Sequence, residues 1–286
     1  MIPRPAGRGD QDYFIVARDV KYAYEGGIEA LRGVNLRINR GEFIAVVGGN
    51  GSGKTTLAKN LNGLLRPTSG SVYVAGSPAA KMTVAELARY VGYAFQNPDH
   101  QLFSGTVEEE VRFGPRNLGM TDADVKRQAE HAIALMGLGG FRAEQPLSLT
   151  LGIRRKVSIA SVIAMDPQLI LLDEPTTGLD AAEIGDLMSC VRALNKEGHT
   201  LILITHDMRL VAQHAKRVLV MAGGRIVLDS DPAGAFADIE ILRSSKLEPP
   251  PVTVLAHRLA EFGISKDIAK PEQLVDGIVA AMRGRR

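Results

Sequence analysis

Apolar residues along this chain gather into short runs bounded by glycine or charge, with strand spacing early and late and helix spacing between. Residues 13–20, 31–38 and 71–76 alternate like strands and flank a wholly apolar run, Phe43–Val47, which ends at Gly48 and Gly49. This pattern predicts an antiparallel layer around a buried strand. From residue 77 to about 165 the spacing turns helical, clearest over 121–138 and 154–165, and predicts a helical insert. Two more buried strands are expected at 169–172 and 201–204, separated by a helix over about 181–197. A hairpin closed by Gly223 and Gly224 follows over 217–230. Strands alternating with helices imply a parallel sheet, so the fold class expected is α/β with an antiparallel side layer. Prolines 249–251 stop any preceding helix and introduce a helix-patterned segment over 252–282. The organisation expected is a flexible start over 1–12, a main domain over 13–246 with its insert over 77–165, and a small separate helical domain over 247–286.

Composition narrows this picture only a little. The 286 residues are 45% hydrophobic, enough for a sizeable core, and 34 basic residues nearly balance 32 acidic ones. A formal charge of +2 does not select nucleic acid or an anionic membrane as a partner. The single cysteine, Cys190, has no partner for an internal disulfide, which fits a reducing compartment. No apolar run approaches the roughly 20 residues of a membrane helix, and the first residues lack the apolar core of a signal peptide.

The strongest chemical signal is GGNGSGKTT, comprising Gly48, Gly49, Asn50, Gly51, Ser52, Gly53, Lys54, Thr55 and Thr56. It matches G-x-x-x-x-G-K-[ST], with a buried strand before it and a helix after it. Glycines let successive backbone N–H groups curl around phosphate oxygens, and the following helix aims its positive end at the same anion. Lys54 supplies a charge for the β- and γ-phosphates, and Thr55 a hydroxyl for Mg²⁺. The second signal is LILLDEP at 169–175, a buried strand ending in Asp173 and Glu174. Side chains alternate at a strand's exit, so Asp173 is expected to face the metal and Glu174 the attacking water. An acidic pair alone also fits a solvated turn; the phosphate loop upstream favours the catalytic reading.

TTGLD at 176–180 follows the acidic pair, and ITHD at 204–207 closes the next strand. With these motifs the chain resembles the ABC ATPases, P-loop proteins that bind and hydrolyse ATP with Mg²⁺, over about residues 14–230. The resemblance implies that His206 contacts the γ-phosphate and that the loop Gly178–Asp180 communicates across a dimer. Gln96, in YAFQNP, matches the glutamine that links Mg²⁺ and water to the helical insert touching the membrane subunits. Tyr24, in YAYEGG, matches the aromatic that stacks on adenine, and its spacing equally fits a strand-face aromatic.

Residues 95–119 and 247–263 are more narrowly similar to energy-coupling factor transporter ATPases, including those of cobalt and nickel uptake. That resemblance implies a dimer, homo or hetero, with a second ABC ATPase subunit. It also implies a transmembrane scaffold, a separate substrate-capture membrane protein, a peripheral place on the cytoplasmic face of the membrane, and no nucleic acid. The C-terminal helices would help hold the dimer. The cargo, a vitamin or a metal ion, is not chosen by this subunit.

One segment departs from the family. Leu-Ser-Gly-Gly-Gln falls on Leu149, Thr150, Leu151, Gly152 and Ile153, so only the leucine and second glycine survive. Thr150 and Gly152 are still expected to face nucleotide in the opposite subunit, while Leu151 adds bulk there. Leu147 and Ser148 offer another register, without following glycines. Two rival classes exist: a DNA-repair-like ATPase, which needs a long coiled coil or zinc-binding insert, and a non-catalytic nucleotide switch, which intact Glu174 and His206 oppose.

Overall fold

The computed structural model describes residues 10–283. Strands β1 (Ile15–Ala23) and β2 (Glu29–Ile38) pair antiparallel, and β3 (Phe43–Val47) leads through the glycine loop into α1 (Lys54–Leu61). Strand β4 (Ser69–Val74) returns beside β1, followed by β5 (Ser77–Pro78), α2 (Val84–Ala88) and β6 (Val91–Ala94). Helices α3 (Val107–Asn117), α4 (Asp122–Leu135) and α5 (Leu151–Ile163) form the insert. Then β7 (Leu169–Asp173), α6 (Ala181–Lys196), β8 (Thr200–Ile204) and α7 (Met208–His214) alternate before the hairpin β9 (Arg217–Ala222) and β10 (Arg225–Ser230). Four helices close the chain: α8 (Pro232–Ala237), α9 (Ile239–Ser244), α10 (Pro251–Arg258) and α11 (Pro271–Arg283).

The strands form two sheets, an antiparallel one ordered β2-β1-β4-β5 and a mainly parallel one ordered β10-β9-β3-β8-β7-β6. Period-two alternation sends each parallel strand into two cores. Ile44, Val46, Leu169, Leu171, Ile202 and Ile204 pack with α1 and the antiparallel sheet, whereas Ile170, Leu172, Leu201 and Leu203 pack with the insert helices and α6. Truncating one such residue, Leu171→Ala for example, costs about 2–5 kcal/mol because the close-packed surroundings leave a cavity. Helix starts are set by side chains that accept orphan N–H groups: Thr106 for α3, Thr121 for α4, Asp207 for α7. Asp180 and Glu183 form a capping box at the start of α6.

The structure differs from the sequence expectations in four places. Phe43–Val47 joins the parallel sheet between β8 and β9 rather than sitting inside the antiparallel layer. The segment expected to be helical from residue 77 contains β6, which pairs parallel with β7. Gly92 makes that strand possible, since a Cβ there would meet Val162 Cγ1 at 2.4 Å and Pro167 Cγ at 2.9 Å. The helical pattern over 252–282 is broken after α10, at Gly263 with φ 88°. Its helices share a small cluster of Ala256, Ile264, Ile268 and Leu274, while Leu247 and Ala269 pack into a core with Ala45, Val47 and Val220. Of the flexible start expected over 1–12, residues 1–9 lie outside the described residues. Asp10 is paired to Arg37 at 2.6 Å and Arg18 at 2.5 Å, which holds its carboxyl below the usual range. The hairpin has its expected glycines, both at positive φ.

Candidate active site

Four neighbouring parallel strands deliver the sequence-predicted residues from the same, carboxyl end of the sheet. The glycine loop follows β3, His206 follows β8, Asp173 and Glu174 end β7, and Gln96 follows β6. Parallel strands with consecutive loops at one end form the crevice where α/β sheets bind ligands.

The loop itself is shaped by backbone only glycine holds easily. Gly48, Gly51 and Gly53 have φ of 155°, 74° and 104°. At Gly48 a Cβ would stand 2.3 Å from the Met221 carbonyl oxygen, and at Gly53 2.6 Å from that of Ala30, so packing excludes a side chain too. Gly49 donates its N–H to the Ser245 carbonyl at 2.9 Å, and Asn50 is exposed at the tip. Lys54 Nζ folds back on the Gly48 and Gly49 carbonyls at 2.7 and 3.1 Å. Burial pulls the Lys54 ammonium down, against the opposing charges of Glu174 and Asp173. Ser52 Oγ is buried without a partner among the described residues, a polar orphan inside an anion-shaped loop.

Asp173 is 3% exposed and its Oδ2 accepts two hydroxyls, Thr55 Oγ1 at 2.9 Å and Tyr93 Oη at 2.7 Å. Glu174 sits one residue on, with φ 46°, a left-handed conformation that strains a residue bearing Cβ. Its N–H donates to the Ile204 carbonyl at 2.9 Å. Both carboxylate oxygens of Glu174 lie within 2.9–3.0 Å of His206 Nδ1. The Glu174 side chain is 12% exposed and that of His206 71%, so the imidazole faces outward while the acid stays inside.

The remaining candidates lie outside the Thr55–Asp173 and Glu174–His206 pairs. Tyr24 is 41% exposed, shares a hydrogen bond with Thr56 Oγ1 at 3.0 Å, and meets Tyr22 edge-on at 4.9 Å. Gln96 is exposed, and its side chain has no hydrogen bond among the described residues. Thr150 begins α5 without using its hydroxyl as a cap. Gly152 abuts Glu183, whose Oε1 would be 2.2 Å from a Cβ. Leu151 lies against Gly178, where a Cβ would be 2.9 Å from Leu151 Cδ2.

Sequence reading missed three supports. Tyr93 is one; Gln101 is another, bonded to Ser158 and Ser161 of α5. The third is Glu110, 2% exposed, whose Oε2 accepts the N–H groups of Phe103 and Ser104 at 2.9 and 2.8 Å. The Gln101 and Glu110 bonds order the loop after Gln96 and leave Phe103 and Phe113 exposed as an edge-to-face pair at 4.7 Å. Tyr93 lies in YAFQNP and Gln101 and Glu110 lie in residues 95–119, but nothing in those segments sets them apart, because their roles depend on contacts distant in sequence or on burial.

A glycine loop feeding a helix, with an acid pair and a histidine at adjoining strand ends, defines a P-loop nucleotide-binding domain. The ABC transporter family profile matches residues 31–177, and the chain belongs to that family. It is 42% identical over 258 residues to the energy-coupling factor transporter ATP-binding protein EcfA of Methanoculleus marisnigri, covering 90% of this chain and 93% of that protein. An ABC transporter ATP-binding protein of Caldanaerobacter subterraneus is 47% identical over 254 residues, 89% of this chain. This chain spans 45% of that relative's length. Among solved structures, CbiO1 of Clostridium perfringens, part of the transporter complex CbiONQ, superposes with a TM-score of 0.73 at 34% identity, covering 87% of this chain and 98% of that one.

Proposed function

We propose that this chain binds and hydrolyses ATP as the motor subunit of an energy-coupling factor type importer, powering uptake of a vitamin or transition-metal ion through separate membrane proteins. One observation carries the reading: the phosphate loop, the Thr55–Asp173 pair and the Glu174–His206 pair converge at one end of the sheet. Backbone N–H groups of the loop and the unpartnered Ser52 hydroxyl receive phosphate oxygens, and Lys54 leaves the loop carbonyls for the β- and γ-phosphates. Thr55 and Asp173 offer two hard oxygen ligands, which suits Mg²⁺, a cation commonly held by one or two protein oxygens together with nucleotide phosphates. Bound there, Mg²⁺ would neutralise charge on the phosphates. Glu174 orients the attacking water, and His206 holds the carboxylate and reaches the γ-phosphate.

Tyr24 is the candidate adenine platform, and Gln96 the link from the site to the insert. Thr150 and Gly152 are offered to a nucleotide held by a second cassette, and α10 and α11 to the dimer contact. The exposed Phe103–Phe113 pair supports the insert as the face that meets a membrane partner. No helix among the described residues is long and apolar enough to cross a membrane. A DNA-organising ATPase is not favoured: between Lys54 and Asp173 the longest helix has 14 residues, too short for a coiled-coil arm. Mg²⁺-dependent phosphate release from ATP, lost in Glu174→Gln, tests the catalytic reading; co-purification of membrane proteins with the full chain tests the assembly.

A further inference from the structure

Arg155 lies in the run Arg154, Arg155, Lys156 near the start of α5, and the three cations have different fates. Arg154 pairs with Asp99 at 2.9 Å and Lys156 with Asp186 at 3.8 Å. Arg155 is 4% exposed and has no ion-pair partner among the described residues. Its guanidinium instead gathers backbone carbonyls: Nη1 donates to Gln96 at 2.6 Å and to Glu174 at 3.4 Å, and Nη2 donates to Thr177 at 3.0 Å. Nε is buried without a partner among the described residues. Burial lowers the Arg155 pKa, opposed by the charge of Glu174. A cation buried this way is costly, and an apolar side chain would avoid that cost. The three carbonyls come from the segment after β6, the end of β7 and the loop before α6, the segments that carry Gln96, the acid pair and Gly178.

We propose that Arg155 is a positioning residue for hydrolysis: its planar fork ties the backbone of Gln96, Glu174 and Thr177 to α5, so that the Glu174 carboxylate is aligned only while α5 is in place. The inference rests on Glu174 as the water-orienting acid. Glu174 occupies a strained φ of 46°, which persists only where surrounding bonds over-determine it. The Ile204 carbonyl fixes its N–H from the sheet side, and Arg155 takes its carbonyl from the helix side. The same helix carries Thr150, Leu151 and Gly152 at its start, and Leu151 touches Gly178. A shift of α5 therefore moves the signature segment and loosens the acid together. A planar fork holds the three carbonyls in one fixed geometry, whereas the three donors of a lysine ammonium share a single nitrogen without that fork and a methionine offers none.

The test is single-turnover hydrolysis of radiolabelled ATP with Mg²⁺, the full chain in excess, in parent, Arg155→Met, Arg155→Lys, Glu174→Gln and the double variants. Arg155→Met should lower the rate constant on the order of a hundredfold, the effect expected when a reacting group moves by about 1 Å. The protein concentration giving half-saturation should change by less than about threefold, because the phosphate loop is untouched. Arg155→Lys should recover part of the rate. In the Glu174→Gln background, Arg155→Met should add no further loss, since both act through one carboxylate. Retained ADP-induced thermal stabilisation shows that the nucleotide loop is folded; if Arg155→Met does not fold, Arg155→Lys with its Glu174→Gln double variant carries the same comparison. A folded Arg155→Met chain at the parent rate, a loss expressed only in half-saturation, or an equal further loss in the Glu174→Gln background overturns the proposal. A parent rate in Glu174→Gln alone would instead overturn the reading of Glu174 itself.

Discussion

The Tyr93 hydroxyl donates to Asp173 Oδ2 at 2.7 Å, beneath the same carboxylate oxygen that Thr55 reaches from the phosphate loop. Burial, and then the charge of Asp173, push the Tyr93 phenol well above its ordinary pKa, so it stays a donor at any working pH. Tyr93→Phe should lower stability by about 1 kcal/mol and free Asp173 to swing. The concentration of Mg²⁺ giving half-maximal hydrolysis should rise several-fold, with ATP affinity in chelator unchanged. An unchanged Mg²⁺ titration in a folded variant would count against Asp173 as the metal-facing acid.

The C-terminal segment offers a sharper boundary than its prolines suggest. Leu247 is 4% exposed and packs in the core with Ala45 and Val47, and the preceding Ser245 carbonyl holds Gly49. A chain ending at Pro249 should keep ADP-induced stabilisation. One ending at Lys246 should melt on the order of 10 °C lower, since it loses a core leucine as well. Equal melting temperatures would place Leu247 outside the core.

Much of the site was legible because its signals are local. Gly48 to Thr56 advertise a phosphate loop by residue type, and Asp173 and His206 each follow an apolar run long enough to read as a strand. β6 was not, since Val91–Ala94 has four residues including a glycine, and what requires Gly92 is packing by the distant Val162 and Pro167. The sheet joined by Phe43–Val47 was equally hidden, because strand pairing is a non-local choice. Nothing in the sequence singles Arg155 out from its basic neighbours Arg154 and Lys156; burial, and the absence of an ion-pair partner among the described residues, do. Tyr93 and Glu110 read as surface-compatible residues until their own burial and their partners are seen.

His214 ends α7 with Nδ1 3.3 Å from Arg192 Nη1. Burial first, then the charges of Arg192 and Lys270, lower its pKa below the usual 6.5. The unfolded chain takes up this proton near pH 6.5 while the folded chain resists it, so stability rises with pH and is lost as pH falls from about 6.5 toward the lowered value. The melting temperature should therefore drop between about pH 7.5 and 5.5, and less so in His214→Gln. Identical pH slopes in the two chains would show that His214 does not contribute.

Leu151 bears on whether the isolated chain is a competent ATPase. It lies against Gly178 in a segment expected to meet nucleotide across a dimer, and Thr150 leaves its hydroxyl uncapped beside it. A transition-state donor is worth ~3 kcal/mol, on the order of a hundredfold in rate, so the parent chain alone should be slow. Leu151→Gly should raise its rate, at a folding cost of up to about 1 kcal/mol. Ile153 packs on the insert core and is better left unchanged. A vigorous parent, unaffected by Leu151→Gly, would remove the need for a partner with an intact signature.

Hydrolysis directed by Glu174 is the central claim, and the Glu174→Gln chain tests it most directly. Its ATP-binding affinity and its phosphate-release rate should be measured together, with Mg²⁺ present and folding verified by thermal melting. Binding should match the parent, because Lys54, Thr55 and the loop glycines are intact, while phosphate release should fall by orders of magnitude, about a hundredfold or more. Phosphate release at the parent rate from a folded Glu174→Gln chain would contradict the account.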